Sequence, residues 1–496
     1  MRTETANQSF RRWALLLACV ATFMLMLDVT VINVTLPMIR REFSADLADQ
    51  QWIIAAYTLP LAAFLLAGGS LADRYGRRTL FIIGLVLFTA GSLAAGLAPG
   101  LVVLEVSRVV QGIGAAVLFA VSPALIAQEF SGVDRAKAFG IFGGVTGLAL
   151  ALGPVVGGLL ATVNWRWVFL VNVPIGVILL LVGFGRARDV LSPNARRPHL
   201  FGLATSAGGL GALTFGIIES ERLGWASTEV LTALVLGALL IALFLISERH
   251  PDTGMLDLAL FRNRTFSGLL TATFLSNATS LAGLFLIVSY LQNVLDLSAL
   301  QAGLVLLPLT LVLFVVAAVT GQILPRVAPG ALLGTAILLI AAGLTLLALA
   351  GTGSGWVRLL PGLIVMGIGM GMFNPPRSVV TVGVVTPEQA GLASGVGETF
   401  QQVGVVFGIA VFGALFQHKV IDAAGTGELG KAVASGDLAG VPADVVDSAR
   451  SWFASGLSWV MIACGILCAL GALVAFATIR KSDMLTDEGE LAEVSA

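Results

Sequence analysis

Long apolar runs alternate with short polar connections along almost the entire chain. Each run holds about 20 residues, the length that an α-helix needs to cross the hydrocarbon core of a bilayer. The pattern therefore predicts fourteen membrane-spanning helices. Their expected bounds are 13–37, 51–70, 79–98, 101–122, 138–161, 166–185, 200–220, 228–247, 265–290, 301–324, 330–350, 357–376, 392–416 and 456–479.

A polar stretch between the second and third runs, Gly69–Arg78, sets the orientation of the predicted helices. It holds one Asp and three Arg and leaves almost no room for a loop, so two helices must turn back on each other here. Charged side chains avoid hydrocarbon, and short loops rich in Lys and Arg face the cytoplasm. With this turn inside, most other Lys and Arg fall on the same side, and the even number of spans places both termini in the cytoplasm. The residues of this loop motif are Gly69, Asp73, Arg74, Gly76, Arg77 and Arg78.

The composition supports an all-α polytopic membrane protein. Of the 496 residues, 57% are hydrophobic and 11% are charged, and the mean hydropathy is +0.95. These values lie outside the range of soluble domains. The net charge of −1 argues against nucleic acid as a partner. Cys19, Cys464 and Cys468 all lie in apolar runs, so we expect neither a disulfide framework nor a metal site.

Similar motifs in the two halves of the chain predict two repeated helix bundles. The turn at 69–74 resembles Gly321–Arg326, and Gln111–Gly114 resembles Met366–Gly369. Internal repeats of this kind are typical of transporters. They pair spans 1–6 with spans 9–14 and leave spans 7 and 8 as an inserted hairpin. The predicted domains are a six-helix bundle over 1–185, a cytoplasmic linker with the hairpin over 186–264, a second six-helix bundle over 265–480 that includes a long external loop at 417–455, and a cytoplasmic tail over 481–496.

One carboxylate and one arginine are expected at similar depths inside spans. Asp28 lies in the outer half of the first span, and Arg108 lies roughly 10 Å below the outer end of the fourth. A charge in the bilayer costs about 2.5–3.5 kcal/mol and usually marks an ion or substrate path, so we expect Asp28 to gain and lose a proton. Glu105 and Gln111 flank Arg108 on the same helix face, which makes Glu105 a further candidate for proton coupling. The alternatives are a purely structural buried Asp and a structural Arg–Glu pair.

The fifth span is rich in glycine. Gly143, Gly147, Ala151, Pro154 and Gly158 recur every three or four residues, so one helix face is almost free of side chains. Such a face lets another helix approach closely. Pro154 also removes a backbone hydrogen bond and favours a bend. The candidate residues of this motif are Gly147, Gly153, Pro154, Gly157 and Gly158.

Several of these motifs resemble the major facilitator superfamily. The pattern G-x-L-A-D-R-x-G-R-R over 69–78 resembles the loop between its second and third helices. Arg108-x-x-Gln111-Gly112-x-Gly114 resembles the fourth-span signature of its proton-coupled members, and the glycine pattern over 147–158 resembles the fifth-span motif of its antiporters. Leu27–Pro37 and Asn164–Gly176 resemble the fourteen-span drug:proton antiporter family of multidrug and antibiotic exporters.

This resemblance implies the major facilitator fold, with two six-helix bundles plus an inserted two-helix hairpin. It also implies that Arg108 influences carboxylate protonation and that the loop motif latches the bundles on the cytoplasmic side. The second half departs from the pattern, because Pro325 stands where the first turn has Asp73 and the twelfth span has no Arg matching Arg108. We therefore expect the coupling chemistry mainly in the first bundle.

Polar side chains inside the predicted spans are candidates for a substrate cavity, because buried amides and carboxylates need partners. The position of Glu398 leaves two interpretations open. It either faces the cavity and binds a cationic substrate or a second proton, or it is solvated by cytoplasmic water near the helix start. The cavity candidates are Asp28, Asn33, Gln111, Asn277, Asn374, Glu398 and Gln402.

Together these features predict a proton-coupled exporter of hydrophobic or cationic drugs that works by alternating access. We expect a monomer in the bacterial inner membrane, with a small substrate, protons and the lipid bilayer as partners. The proton gradient is the expected energy source, with no cofactor and no enzymatic activity. A solute importer of the same fold is one alternative. A lipid-modifying membrane enzyme is another, although no cluster of His, Cys or carboxylates is predicted at a membrane surface.

Overall fold

The computed structural model describes residues 2–130, 132–186, 199–249, 258–349, 355–386, 389–425, 427–438, 441–442 and 444–484. The predicted cytoplasmic joint at 187–198 and the tail from 485 onward lie outside these residues. Within the described ranges the chain forms seventeen α-helices. They are α1 Arg2–Phe43, α2 Leu47–Tyr75, α3 Arg77–Gly96, α4 Leu101–Glu129, α5 Gly132–Ala161, α6 Trp167–Leu170, α7 Asn172–Arg186, α8 Leu200–Ile218, α9 Ser220–Leu223, α10 Thr228–Ser247, α11 Arg264–Asn293, α12 Ala299–Ile323, α13 Pro329–Leu347, α14 Leu360–Gly383, α15 Ala390–Ala424, α16 Gly427–Ser435 and α17 Val446–Thr478.

The all-helical, multi-pass architecture is confirmed. Among the described residues, eleven helices are long and apolar enough to cross a membrane, or twelve if the bent helix α5 is counted as one span. Helix α2 covers the predicted second span, and the predicted sixth span is divided between α6 and α7. The total of fourteen spans stays a prediction.

Several helices extend beyond the apolar runs that predicted them. α15 continues to Ala424 and α17 begins at Val446, so much of the predicted external loop 417–455 is helical. α14 continues to Gly383, which brings Arg377 into a helix instead of a loop. A hydropathy window misses such ends because their residues are polar, although the backbone hydrogen bonds continue through them.

The turn predicted over Gly69–Arg78 consists of a single residue. α2 continues as a helix to Tyr75, and α3 begins at Arg77. Gly76, between them, has φ +97°, a conformation that glycine adopts without steric cost. Arg77 then donates from Nη1 to the carbonyl of Ala124, 3.0 Å away, and ties the turn to α4. The side chain of Asp73 is outside the described part of the chain.

The helix contacts fall into two groups. In the first, α1 packs on α4 and α5, α4 packs on α2 and α3, and α3 packs on α7. In the second, α11 packs on α15 and α17, α13 packs on α14 and α17, and α12 packs on α14. The groups meet where α5 contacts α12 and where α2 contacts α15. The assignment of these groups to separate domains stays a prediction.

The hairpin of α8 and α10 packs beside the junction of α2 and α15. α8 contacts both of these helices, and Ile218 shares a buried apolar cluster with Ala48 of α2 and Val406 of α15. Arg222 of α9 forms ion pairs with Asp46 and Asp49 at the start of α2, with distances of 2.6 and 2.8 Å. Burial alone would lower the pKa of Arg222, but the hydrogen bonds to these two carboxylates outweigh it and raise the pKa.

Candidate functional site

Glycines bring helix α4 very close to its neighbours. A β-carbon at Gly112 would overlap the carbonyl oxygen of Tyr57 on α2, and one at Gly114 would lie 2.5 Å from the backbone nitrogen of Phe88 on α3. On α3, a β-carbon at Gly91 would stand 2.8 Å from the backbone nitrogen of Gln111. The Gln111–Gly114 motif therefore lets α4 pack closely on α2 with one face and on α3 with another, and these contacts position Arg108 and Gln111.

Asp28 and Arg108 form a buried ion pair in the middle of the first helix group. Nη1 of Arg108 donates to Oδ2 of Asp28 at 2.5 Å and to Oε1 of Gln111 at 2.9 Å. Nε2 of Gln111 donates to Oδ1 of Asp28 at 2.8 Å and to Oγ of Ser92 at 2.9 Å. Nδ2 of Asn172 donates to the same Oδ1 at 3.2 Å. We call these five side chains the Asp28 network.

The Asp28 network is enclosed on all sides by protein. The side chains of Arg108 and Asp28 are 1% and 2% exposed. The guanidinium also lies 4.2 Å from the centre of the Tyr57 ring, and its Nε donates to the carbonyl of Ile53 at 3.3 Å. A buried charge requires a partner and hydrogen bonds, and both charges have them here. This arrangement fits an ionised carboxylate, so Asp28 does not line an open cavity in this conformation.

The sequence grouped Asp28 and Arg108 with Glu105 for proton coupling and put Gln111 among the cavity candidates. The structure brings Asp28, Arg108 and Gln111 together. It adds Asn172, Ser92 and Tyr57, which come from three other helices. Asn172 had a usable signal, since it is a lone amide within the apolar run 166–185. Ser92 and Tyr57 had none, because single Ser and Tyr residues are common in membrane helices.

Glu105 lies outside the Asp28 network. Its carboxylate lies in the field of Asp49, Glu219 and Arg222, near the end of the hairpin. Glu105 and Arg108 are three residues apart on α4, and the ion-pair partner of Arg108 is Asp28. A proton-coupling role for Glu105 stays a prediction.

The glycine motif of α5 lies at the contact with two other helices. β-Carbons at Gly153 and Gly157 would collide with Thr30 and Val31 of α1. One at Gly158 would stand 2.7 Å from Cα of Leu300 on α12. The helix bends by 43° between Leu150 and Leu152. Pro154 has no backbone N–H, so the carbonyl of Leu150 lacks its usual hydrogen bond at this bend.

Both helix groups are joined at the end of the molecule where α1 finishes and α2 starts, which we call the Phe43 end. Three buried glutamines donate there from one group to backbone carbonyls of the other. Their bonds are Gln51 to Ile409 at 2.6 Å, Gln292 to Val34 at 2.7 Å, and Gln50 to Ser435 at 3.3 Å. A carbonyl acceptor is uncharged, so breaking these three bonds leaves no buried charge behind. An ion pair also crosses at this end, between Arg40 of α1 and Asp437 after α16, at 3.7 Å.

Towards the opposite end, where α2 finishes at Tyr75, α5 and α12 diverge. Gly147 still faces the ring of Phe314 on α12, with 3.5 Å to its nearest atom. Among the described residues, a β-carbon at Gly140, Gly143 or Gly144 of α5, or at Gly321 of α12, would meet nothing within 4 Å. Between α5 and α12 the described structure is therefore tightly packed at the Phe43 end and loosely packed at the Tyr75 end.

A partly buried ion pair joins α14 and α15. Nη2 of Arg377 donates to Oε1 of Glu398 at 2.5 Å, and the two side chains are 9% and 21% exposed. The sequence left open whether Glu398 faces a cavity or water and missed Arg377, because the apolar run appeared to end at 376. Next to this pair, Thr399 donates to the carbonyl of Ala62 on α2 at 3.4 Å.

In the described structure no hydrogen bond joins the remaining predicted cavity amides to one another. Asn33 and Asn277 each donate to a carbonyl of their own helix, Val29 at 3.5 Å and Thr273 at 2.9 Å. Gln402 is buried, and Asn374 is partly exposed on α14. Their place in a substrate cavity stays a prediction.

The chain matches the family model described as Major Facilitator Superfamily twice, over residues 18–190 and 187–409. It is 33% identical over 407 residues to the multidrug resistance protein Stp of Mycobacterium tuberculosis, covering 81% of this chain and 75% of that protein. It is 36% identical over 408 residues to the puromycin resistance protein pur8 of Streptomyces alboniger, covering 81% of each. It is 33% identical over 423 residues to the tetracenomycin C resistance and export protein of Streptomyces glaucescens, covering 85% of this chain and 79% of that one.

The fold is shared with solved transporters of distant sequence. A bacterial homologue of the human lysosomal transporter Spinster, in an inward-facing and unoccupied conformation, superposes with a TM-score of 0.64 at 17% identity, covering 96% of this chain and 99% of that one. A D-xylose-proton symporter gives a TM-score of 0.64 at 15% identity, covering 95% and 98%.

Proposed function

The chain belongs to the Major Facilitator Superfamily, and from this premise we propose that it exports hydrophobic or cationic drugs in exchange for protons. The names of its relatives support the direction and the kind of substrate, because three of them are called resistance proteins and one of these also an export protein. The observation that supports proton coupling is the buried Asp28–Arg108 pair. A nearby opposite charge favours the ionised form of a buried carboxylate, so movement of that partner or of the surroundings shifts the carboxylate towards taking up a proton.

In the proposed cycle the present structure is the state that accepts drug. If the loop motif lies in the cytoplasm, the loosely packed Tyr75 end faces inward and the tightly packed Phe43 end faces outward. Drug enters between α5 and α12 while Asp28 is ionised and paired with Arg108. The glutamine bonds at the Phe43 end then break, the opposite end closes, and drug leaves to the outside. A proton from outside neutralises Asp28, and its release to the cytoplasm resets the cycle.

The driving force depends on the charge of the drug. An entering proton supplies about 2.3 kcal/mol per 100 mV of membrane potential and about 1.4 kcal/mol per pH unit. One proton exchanged for one monovalent cation moves no net charge, so such a drug is driven by the pH gradient alone. A neutral drug uses both terms. Measurement of each contribution therefore reports the charge that moves with the drug.

Proteoliposome transport tests this function directly. The purified protein is reconstituted and puromycin is supplied on one side, with a pH gradient and then a membrane potential imposed separately. Export in exchange for protons requires puromycin to move opposite to the proton gradient, and Asp28→Asn should abolish this movement. Movement of drug and protons in the same direction would support an importer. Full gradient-driven transport by Asp28→Asn would remove Asp28 from the mechanism.

A further inference from the structure

Every hydrogen bond that Asp28 makes in the described structure suits only its ionised form. The three side chains that contact its carboxylate, Arg108, Gln111 and Asn172, all donate to it. A protonated carboxyl group is itself a donor and needs an acceptor. Without one, the buried O–H would be unsatisfied, and an unsatisfied buried donor is costly. A site that takes up a proton must therefore contain an acceptor that the ionised state does not use.

Asn172 carries such an acceptor. It is 1% exposed, and its Oδ1 has no hydrogen-bond partner among the described residues, while its Nδ2 faces Asp28 at 3.2 Å. The carbonyl oxygen of Gln111 already accepts from Arg108 at 2.9 Å, which leaves it one lone pair. The hydroxyl of Ser92 accepts from Gln111 at 2.9 Å and from Asn172 at 3.5 Å. Among the described side chains that contact Asp28, only Asn172 has an amide oxygen that accepts no hydrogen bond.

We propose that Asn172 is the residue that allows Asp28 to hold a proton, by turning its side-chain amide through about 180°. With Asp28 ionised, Nδ2 of Asn172 donates to Oδ1 of the carboxylate. With Asp28 protonated, Oδ1 of Asn172 occupies the same place and accepts the new O–H. The turn is a rotation about the terminal side-chain bond, whose energy is broad and roughly two-fold, so the amide serves both protonation states without moving the helix. This inference rests on the proposed function, in which Asp28 carries the proton.

Removal of the Asn172 amide destabilises the ionised and the protonated form of Asp28 by different amounts. The ionised carboxylate keeps the shorter bond from Gln111 at 2.8 Å and the bond from Arg108 at 2.5 Å, so it loses only the long bond of 3.2 Å. The protonated carboxyl loses its acceptor. An apolar replacement of similar size therefore disfavours protonation. A residue that only donates would have the opposite effect, because its removal destabilises the ionised form and favours protonation.

The test is infrared difference spectroscopy of the full-length protein in lipid nanodiscs during a pH titration. The carbonyl band of protonated Asp28 is identified by its absence in Asp28→Asn. In Asn172→Leu the midpoint of this band should move to lower pH by about one unit, a tenfold loss of proton affinity that corresponds to about 1.4 kcal/mol. Asn172→Val, which is smaller and equally unable to hydrogen-bond, should move it in the same direction if the Leu variant does not fold.

Thr22 provides the matched control. It lies on the same helix as Asp28 but outside the Asp28 network, it is 1% exposed, and its hydroxyl has no partner among the described residues. Thr22→Val removes that hydroxyl and should leave the midpoint unchanged. An unchanged or higher midpoint in both Asn172 variants would overturn the proposal, and so would a fall in Thr22→Val alone.

The outcome also separates this inference from the proposed function. If no band of Asp28 appears at any pH and Asp28→Asn still couples transport to protons, the proposed function fails and the role of Asn172 fails with it. If the band titrates but the Asn172 variants do not lower its midpoint, Asp28 remains the proton carrier and only the amide rotation is refuted.

Discussion

The buried pair of Asp28 and Arg108 gives a sharp prediction about stability as well as transport. From the sequence alone, Asp28→Asn is expected to leave folding intact. The structure changes that expectation, because the Arg108 side chain is 1% exposed and would keep its charge without a counterion. Removal of one member of a buried pair costs about 3–5 kcal/mol. The N–H group of the new amide would also face an N–H group of Arg108 or Gln111, and neither group can accept a hydrogen bond from the other.

The double variant shows whether the cost comes from the unpaired charge. Asp28→Asn and Arg108→Gln should each destabilise the protein by about 3–5 kcal/mol, since each leaves one buried charge alone. The combination Asp28→Asn/Arg108→Gln removes both charges and leaves neutral amides that hydrogen-bond to each other. Its loss of stability should therefore be smaller than the sum of the single losses, with a coupling of several kcal/mol.

The chain carries its own reporter for this measurement. Cys19, Cys464 and Cys468 are free and buried, so a thiol-reactive fluorophore added to the detergent-solubilised protein becomes fluorescent only as the fold opens. Unfolding temperatures of the four proteins complete the double-mutant cycle. Proteoliposome transport by the double variant then separates folding from coupling, because it should be stable and still fail to exchange drug for protons. Additive losses, or single variants as stable as the parent, would refute the reasoning.

Three further outcomes are expected. In Gly303→Ala the new β-carbon would overlap the carbonyl oxygen of Pro154, so it should push α5 and α12 apart and lengthen the distance between spin labels on these helices at the Phe43 end. Gly321→Ala on the same helix is the control: its β-carbon would meet nothing within 4 Å among the described residues, so the distance should not change. Glu398→Gln removes the counterion of the buried Arg377 and should lower the unfolding temperature. If this variant transports cationic and neutral drugs in the same ratio as the parent protein, Glu398 has no role in cation binding. Asp73→Asn should slow turnover without a change in unfolding temperature, and normal turnover would count against a latch in the loop motif.

Helix positions were largely predictable because hydropathy and helix length are local properties. Apolar runs of about 20 residues located the described long helices, and errors occurred where polar residues extend a helix, as in α14, α15 and α17. The Gln111–Gly114 motif was informative for a similar reason, since glycines at that spacing mark a face where another backbone approaches. The break between α6 and α7 within one apolar run left no local signal.

The Asp28 site was predictable in part. A carboxylate and a guanidinium in apolar runs are costly, so their presence alone marked Asp28 and Arg108 as a site. Helix spacing also put Glu105 on the same face of α4 as Arg108, and in the structure the ion-pair partner of Arg108 is Asp28 of α1. Helix spacing fixes which side chains share a face, but the neighbouring helix that each side chain meets depends on the packing of the whole bundle.

The sequence by itself determined that this protein is a multi-pass helical membrane protein, which motifs it carries, and which two charges it buries, because each follows from the type and order of nearby residues. Only the tertiary structure decided that other charged residues, such as Arg377, are buried as well. It also decided that Asn172 meets Asp28 across 144 positions of the chain, that Arg377 pairs with Glu398, and that three glutamines join the helix groups through carbonyl oxygens. Every residue has a backbone carbonyl, so an acceptor of that kind has no signature in the sequence, and the helices must pack before it has a partner.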